Sequence, residues 1–573
     1  MAKLPDVRGM ESLVDLFDAQ AAQYADRPLL SAETEDGLDQ WTGADLARRS
    51  RLAAWRLIAA GIKRGDRVLV WAPAGPALGA FYVAGWRAGI VVVPLDQRFG
   101  ADVVARIAAR ADSTWIVVGD GIGPGSNAEV DALNRLSLAD LTSDSLDDVP
   151  ADYEAQMAKW PRPTRKDTTA IMFTSGTTGQ PRGVMLGHRN ALDPWELSMS
   201  HLGYRVLLRA LIPKEMVTVS VMPMSHIFGI GEFVGAIMFG GRIVYPQGRS
   251  PRALLDAMRR HRPTSMAVAP RFLELFWTQM LREITAAGGL ESFERRRQRA
   301  ARLPYFMRRR LFRQERALLG GRLKAFSSGA AYLPPDVQQA WESIGIPVMQ
   351  GYGATECGAV ASTSFFRHPI GKVGRKVRTA NVELAADGEI LVSGPGVADG
   401  YWRDPEATAL SFDEKGRYHT GDIGRFDEKG NLVLLGRKKN IIVLSNGLNV
   451  YPEDIEAQLH LAGLGDTVVL ETEPGRIGAV ILDPEAELAA VALPEDATSD
   501  ERRAALRERI EAAVQLANSR LTTHERIDTW KIWPEPDFPR THTQKIRRDP
   551  VRMWAAGPSA VPLPVTEGVG AEA

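Results

Sequence analysis

Apolar residues recur along this chain in two rhythms. Over residues 10–24 they fall at Leu13, Leu16, Phe17, Ala21 and Tyr24, and over 42–60 at Leu46, Leu52, Ala53, Trp55, Leu57 and Ile58, the spacing that gives a helix one buried face. Residues 67–71 (Arg-Val-Leu-Val-Trp), 89–95 (Gly-Ile-Val-Val-Val-Pro-Leu) and 113–118 (Ser-Thr-Trp-Ile-Val-Val) are instead short, nearly unbroken apolar runs, as expected of strands covered on both faces. An apolar helix separates the first two, and a helix over 101–111 precedes the third. Strand and helix in alternation predict a parallel, doubly wound sheet. Residues 123–164 are polar, proline-bearing and weakly periodic, which predicts a surface excursion. Apolar runs return at 217–223, 323–326 and 346–349, and 424–436 reads as strand, turn, strand. Beyond 437 the composition shifts to a smaller unit, and after Trp554 the chain is rich in Gly, Pro, Ala, Val and Glu, which predicts disorder. The expected fold class is α/β: a large N-terminal domain of doubly wound parallel sheets over 1–436, a small C-terminal α+β domain over 437–554, and a disordered tail over 555–573.

Length and charge narrow the classes. A chain of 573 residues exceeds one typical domain. Lysine plus arginine and aspartate plus glutamate each total 70, so no global field draws the protein to nucleic acid or to membranes. The single cysteine, Cys357, excludes a disulfide framework and fits a reducing, cytoplasmic setting. The longest apolar stretches, 70–86 and 217–241, are broken by Pro73 and Pro76 and by Pro223, His226 and Glu232, so neither reads as a spanning helix. No signal peptide is expected from residues 1–6. One local asymmetry stands out: over 294–316 ten arginines face only Glu294 and Glu315, interleaved with Leu303, Tyr305, Phe306, Met307, Leu311 and Phe312. It reads equally as a solvated helix face or oligomer contact, and as a segment over 295–316 lying peripherally on anionic lipid at the inner membrane face.

The densest candidate chemistry is at 174–183, Thr-Ser-Gly-Thr-Thr-Gly-Gln-Pro-Arg-Gly, after the apolar run Ala170-Ile171-Met172-Phe173. Glycines turn such a stretch tightly, and its N–H and hydroxyl donors can converge on a polyphosphate. It is not the common phosphate loop: Gly179 is followed by Gln180-Pro181-Arg182 rather than Lys-Ser/Thr, which disfavours generic GTPases and kinases. By itself it reads more often as an exposed turn. Further blocks follow in order: Pro223-Met224-Ser225-His226, Ser327-Ser328-Gly329-Ala330-Ala331, Gln350-Gly351-Tyr352-Gly353-Ala354-Thr355-Glu356, Tyr418-His419-Thr420-Gly421-Asp422, Gly436-Arg437-Lys438-Lys439-Asn440, and Pro539-Arg540-Thr541-His542-Thr543-Gln544-Lys545. Two of them follow short apolar runs, placing them at strand ends, where open α/β sheets bind ligands.

Taken together these blocks resemble the adenylate-forming superfamily over nearly the whole chain, and 319–330 is most like its long-chain fatty acyl-CoA synthetases. The resemblance implies ATP, Mg²⁺ and CoA as small-molecule partners, no nucleic acid, and a C-terminal domain that is mobile. It implies that Thr174, Ser175, Gly176, Thr177, Thr178, Gly179 and Arg182 hold the phosphates, and that Gly329, Ala330, Ala331, Gln350, Gly351, Tyr352 and Gly353 line the nucleotide, Tyr352 stacking on adenine. Thr355 would meet the α-phosphate, Glu356 with Thr174 would hold Mg²⁺, His226 would sit at the acyl pocket, and Asp422 would accept the ribose hydroxyls beside Arg437. Lys439 would be the hinge, Ser445, Asn446 and Gly447 the loop facing the thiol, and Lys545 the cation bridging carboxylate and α-phosphate. Two positions depart from the family pattern: Arg182 stands where lysine is usual, and Gln544 where glycine is usual. The expected activity is ATP-dependent activation of a long-chain fatty acid to acyl-AMP and transfer to CoA. Two alternatives are a ligase delivering to a carrier-protein pantetheine, and a non-catalytic acyl or nucleotide sensor. Oligomeric state is not set by any of these motifs.

Overall fold

The computed structural model describes residues 5–122, 127–174, 181–200, 213, 215–300, 302–444, 448–473, 475–482, 498–540 and 546–557. The chain divides into two compact units, Met1–Glu383 with Leu391–Thr420, and Leu384–Ile390 with Gly421–Ala573.

In the first unit the unbroken apolar runs form the centre of a six-stranded sheet. Its order is Asn134–Ser137, Trp115–Val118, Arg67–Trp71, Val91–Leu95, Thr168–Thr174, Arg182–Gly187; the first five are parallel and the last antiparallel. Alternate residues serve opposite faces, as the pleat requires: Val68, Val70 and Val92 join one core, while Leu69, Trp71, Val91, Val93 and Leu95 join the other. The helix Pro76–Ala88, buried almost all round, makes the crossover between Arg67–Trp71 and Val91–Leu95 and ends on Gly89 at φ 71°, where a left-handed cap favours glycine. The predicted amphipathic helices are Leu13–Gln23 and Gly43–Ala59, each started by a reciprocal cap, Ser12 with Asp15 and Thr42 with Asp45.

Two further sheets lie in this unit. One has the order Gly37–Thr42, Pro28–Thr34, Arg242–Tyr245, Val217–Val219; the other runs Ser265–Val268, Ala325–Ser328, Val348–Ala354, Gly358–Ser362, Arg375–Lys376. The apolar run at 217–223 thus yields a strand of only three residues, after which the chain turns towards His226.

One expectation is corrected. Part of 123–164 belongs to the sheet rather than to a loop: Asn134–Ser137 pairs with Trp115–Val118, and the Arg56 guanidinium ties the following turn down by donating to the carbonyls of Leu141, Ser143 and Ser145. Only one apolar residue in that strand, Leu136, signalled it. The arginine-rich segment spans several helices. It breaks into Leu290–Ala300, Tyr305–Leu311 and Arg313–Ala317, with Phe312 fully buried against Phe293 and Arg316 only 3 % exposed, donating to the carbonyls of Gly345 and Leu323. Phe306, Met307 and Leu311 do face solvent, Phe306 at 70 %.

The second unit carries the hairpin formed by the end of Tyr418–Phe426 and by Leu432–Arg437. Asp427 closes its turn by accepting from the N–H groups of Lys429 and Asn431. Beyond it, the sheet Thr467–Glu473, Arg476–Leu482, Thr529–Trp533 packs with Pro452–Leu461 and Ser499–Asn518 around Ile455, Leu459, Val469, Ile477, Ile510 and Trp530. The last described element is the helix Arg548–Ala555; residues 558–573 lie outside the described residues. Among the described residues no helix is long and apolar enough to cross a membrane.

Candidate active site

In the first unit the antiparallel hairpin Thr168–Thr174/Arg182–Gly187 sets Thr174 opposite Arg182. Gly183 has to be glycine, since a Cβ there would lie 2.6 Å from Ile171 Cγ2. The hairpin also seats a residue that no motif flagged. Met185 N–H donates to Gly400 O, Trp402 N–H donates to Gly183 O, and Val184 bridges Tyr401, so the 400–402 backbone lies along the Arg182 strand. As a result the Arg182 guanidinium stands 5.5 Å from the Tyr401 ring centroid, and the Tyr401 hydroxyl donates to Glu356 Oε1 at 3.1 Å. Burial, reinforced by the Glu356 charge, pushes the Tyr401 phenol up to about 12, so it remains a donor at neutral pH. Tyr401 therefore ties together Arg182 and Glu356, which the sequence offered as separate candidates.

Glu356 follows a strand whose partners change along its length. Val348–Ala354 runs parallel to Ala325–Ser328 as far as the pair Ser328/Gln350, and from Gly351 onward it pairs antiparallel with Gly358–Ser362. Residues 350–354 thus continue the strand instead of leaving it as a loop, and Thr355 and Glu356 occupy the turn. Glycine is needed here for close approach: a Cβ at Gly353 would fall 2.1 Å from Gly358 O. Next to it, a Cβ at Gly329 would lie 3.3 Å from Gly351 O and 3.9 Å from Phe228 Cζ, while Ala330 takes a left-handed φ of 69°. An alanine in that region stores roughly 1–2 kcal/mol of strain, and it turns the chain away from the strand end. The expected nucleotide positions at 329–331 and 350–356 are therefore neighbours.

His226 is the N-cap residue of the helix Ile227–Met238, and its loop is held by the Tyr82 hydroxyl donating to Met224 O at 2.6 Å. Its Nε2 stands 3.8 Å from Asp96 Oδ2. Asp96 is 2 % exposed; burial alone would push its carboxyl up, but bonding to His226 and to the Arg98 N–H and guanidinium outweighs this and holds it far below the usual carboxylate range. Asp96 thus stays ionised beside His226. It was missed because it reads simply as the residue after a strand; no local signal marks it.

In the second unit Asp422 and Arg437 are cross-strand partners, joined through Arg437 Nε and Asp422 Oδ1 at 2.8 Å. The basic run splits by partner: Lys438 binds Asp387 at 2.6 Å and Glu389 at 2.9 Å, while Lys439 is exposed on a short 3₁₀ turn. Glu389 also accepts from the Gly421 N–H, so the backbone before Asp422 is fixed by the same carboxylate. Ser175, Gly176, Thr177, Thr178, Gly179, Ser445, Asn446, Gly447 and Lys545 lie outside the described residues. Arg540 and Ile546, on either side of 541–545, pair as an antiparallel bridge.

The family models for the AMP-binding enzyme and for the AMP-binding enzyme C-terminal domain match residues 17–402 and 439–553. The long-chain-fatty-acid–CoA ligase FadD15 of Mycobacterium bovis is 30 % identical over 563 residues, covering 88 % of this chain and 89 % of that protein. A feruloyl-CoA synthase of Amycolatopsis sp is 29 % identical over 439 residues, covering 73 % and 78 %. Among solved structures the chain is similar in fold to ATP-bound MatB from Rhodopseudomonas palustris (TM-score 0.70, 22 % identity, 96 % and 99 % covered). It is likewise similar to the o-succinylbenzoate CoA synthetase MenE from Bacillus subtilis in complex with ATP and magnesium ion (TM-score 0.68, 20 % identity, 93 % and 98 % covered).

Proposed function

Because the chain belongs to the AMP-binding enzyme family, we propose that it is an acid–thiol ligase that activates a carboxylic acid with ATP and passes the acyl group to CoA. A carboxylate resists a thiol because its charge repels the nucleophile and oxide leaves poorly. In the first step a carboxylate oxygen attacks the α-phosphorus of ATP, forming the acyl–phosphate bond as the bond to the pyrophosphate oxygen breaks. In the second, the CoA sulfur attacks the acyl carbon, AMP leaves, and the thiol proton passes to solvent. The protein's part is alignment and neutralisation of charge.

The arrangement of Arg182, Tyr401 and Glu356 is the observation that carries this reading. Glu356 and Thr174 offer hard oxygen donors, which fits Mg²⁺, an ion that takes one or two protein oxygens and completes its shell with phosphate oxygens and water. When bound, that ion neutralises phosphate charge. Arg182 and residues 174–179 would receive the phosphates, Tyr352 the adenine, Thr355 the α-phosphate, and Asp422 the ribose. Lys545 would bridge the two reacting groups, Lys439 would be the pivot of the second half-reaction, and 445–447 would face the thiol.

For the acid we propose a long-chain fatty acid, supported by the mycobacterial ligase that matches most of both chains. The single cysteine supports a cytoplasmic setting, and exposed Phe306, Met307 and Leu311 beside the arginines at 308–310 support contact with anionic lipid. The test is to offer short, medium, long and aromatic acids with ATP, Mg²⁺ and free CoA, and to identify the thioester by mass. Acyl-CoA with stoichiometric AMP is expected. AMP release that free CoA never supports would shift the acceptor to a carrier-protein pantetheine.

A further inference from the structure

The arginines over 294–316 fall into two groups. On the helix Leu290–Ala300 they are matched by acids: Arg295 pairs with Glu291, Arg296 with Glu315, and Arg297 with Glu294 at 2.8 Å. Beyond that helix the pairing stops. Residues 302–313 carry five arginines and no acid, and among the described residues Arg302, Arg310 and Arg313 have no carboxylate partner.

A second segment, which no motif marked, has the same character. Residues 364–378 carry Arg367, Lys372, Arg375, Lys376 and Arg378, and no acid occurs from 357 to 382. Among the described residues Arg367, Lys376 and Arg378 again have no carboxylate partner. Ser364 and Arg367 exchange both backbone hydrogen bonds, at 2.9 and 3.0 Å, so Phe365 and Phe366 are the two corners of a tight hairpin. Phe365 turns back onto Tyr305, the ring centroids 5.9 Å apart, while Phe366 is left 71 % exposed. Tyr305 in turn precedes the exposed Phe306.

The two segments share one support, the helix Pro335–Ser343. Arg308 donates to the Glu342 carbonyl at 3.3 Å and His368 bonds the Glu342 carboxylate at 2.9 Å. The Gln338 side chain donates to His368 O and accepts from the Gly371 N–H. Phe306 and Phe366, with Met307, Leu311 and Ile370 also exposed, therefore belong to one braced patch with cations from both segments. Exposed apolar surface of this kind marks a contact site. A second copy would set cations against cations, and a nucleic acid backbone has no use for the apolar side chains. An anionic bilayer takes both, its headgroups meeting the cations and its acyl boundary the apolar residues.

We propose that 302–313 and 364–378 together form the face by which this protein lies on an anionic bilayer, with Phe306 and Phe366 entering the acyl boundary and the arginines at 295–297 taking no part. The proposal rests on the lipid-contact reading above and narrows it to two segments distant in sequence, neither sufficient alone.

The test sediments the full chain with phosphatidylcholine vesicles, with and without phosphatidylserine. Binding is expected only where phosphatidylserine is present, and should fall as salt rises. Three double variants follow: Phe306→Ser with Arg310→Gln, Phe366→Ser with Arg367→Gln, and Arg295→Gln with Arg297→Gln. The first two should each lower partition by roughly 10-fold or more, since one cation at such a surface is by itself about 5-fold. The third should bind as the wild type does. All three replace exposed or half-exposed side chains and should melt close to the wild type; single Phe306→Ala and Phe366→Ala replacements give the same comparison if a double variant melts early. Wild-type binding by the Phe366 variant, or a comparable loss in the Arg295 variant, overturns the two-segment face and leaves the narrower contact at 306–311 standing. Wild-type binding by the Phe306 variant, equal binding to both vesicle types, or binding to neither, overturns both. None of these outcomes bears on the acid–thiol ligase reading.

Discussion

Asp422 meets Arg437 because the two are opposite each other across a short hairpin, whereas Arg182 and Glu356 are linked through Tyr401, which itself lies 45 residues from Glu356. The first pairing depends on local register and would survive considerable change elsewhere in the chain. The second depends on three separate segments being packed correctly, with a phenol fixing the orientation of a carboxylate. Function placed on the first should therefore fail residue by residue, while function placed on the second should fail through its supports as well.

The largest effect is expected at the end of the packed chain of contacts. Glu356→Gln removes the charge proposed for Mg²⁺ and should lower adenylation by roughly 10²–10³-fold, with the Mg²⁺ needed for half-maximal rate rising; an unchanged Mg²⁺ titration would remove Glu356 from the metal. Asp422→Ala comes next. It should raise KM for ATP by about 10-fold or more with little change in kcat, as loss of a charged hydrogen-bond partner implies. Thermal stability should barely move, since the Gly424/Leu434 to Phe426/Leu432 pairing remains.

Tyr401→Phe is the direct test of dependence on supports. It touches no proposed substrate group, yet deleting a hydrogen bond to a charged carboxylate should cost about 10-fold in kcat/KM, with the Mg²⁺ titration moving in the same direction as in Glu356→Gln. Wild-type kinetics would mean that Glu356 needs no such support.

The smallest effect concerns stability against pH. Burial raises the folded carboxyl of Glu232 from 4.5 to about 7, so its contribution is fully present below about pH 4.5 and is lost as pH rises through about 7. Glu232→Gln, blind to pH, should therefore gain a few degrees in Tm relative to the wild type between pH 5 and pH 8. A constant difference across that range would show that the carboxyl is well hydrated.

The same contrast explains what could be read from sequence. Arg67–Trp71 and Val91–Leu95 were legible because strands buried on both faces are almost wholly apolar, and the first helices because Leu13, Leu16 and Phe17 in one and Leu46, Leu52, Ala53 and Leu57 in the other recur at helical spacing. Asp422, Arg437 and Glu356 were legible because each lies in a compact block. Asp96 and Tyr401 were not: each acts through a contact made by the fold, across from His226 and Glu356, with nothing distinctive among its neighbours in sequence. The strand through Gln350 to Ala354 was hidden by its glycines, whose role is close backbone approach rather than a loop.

The central claim, that this chain joins carboxylic acids to AMP, is met most directly by acid-dependent exchange of labelled pyrophosphate into ATP in the presence of Mg²⁺ and the absence of CoA. The account predicts exchange that needs both the acid and Glu356. Exchange that never rises above the acid-free rate with any member of a broad panel would contradict it.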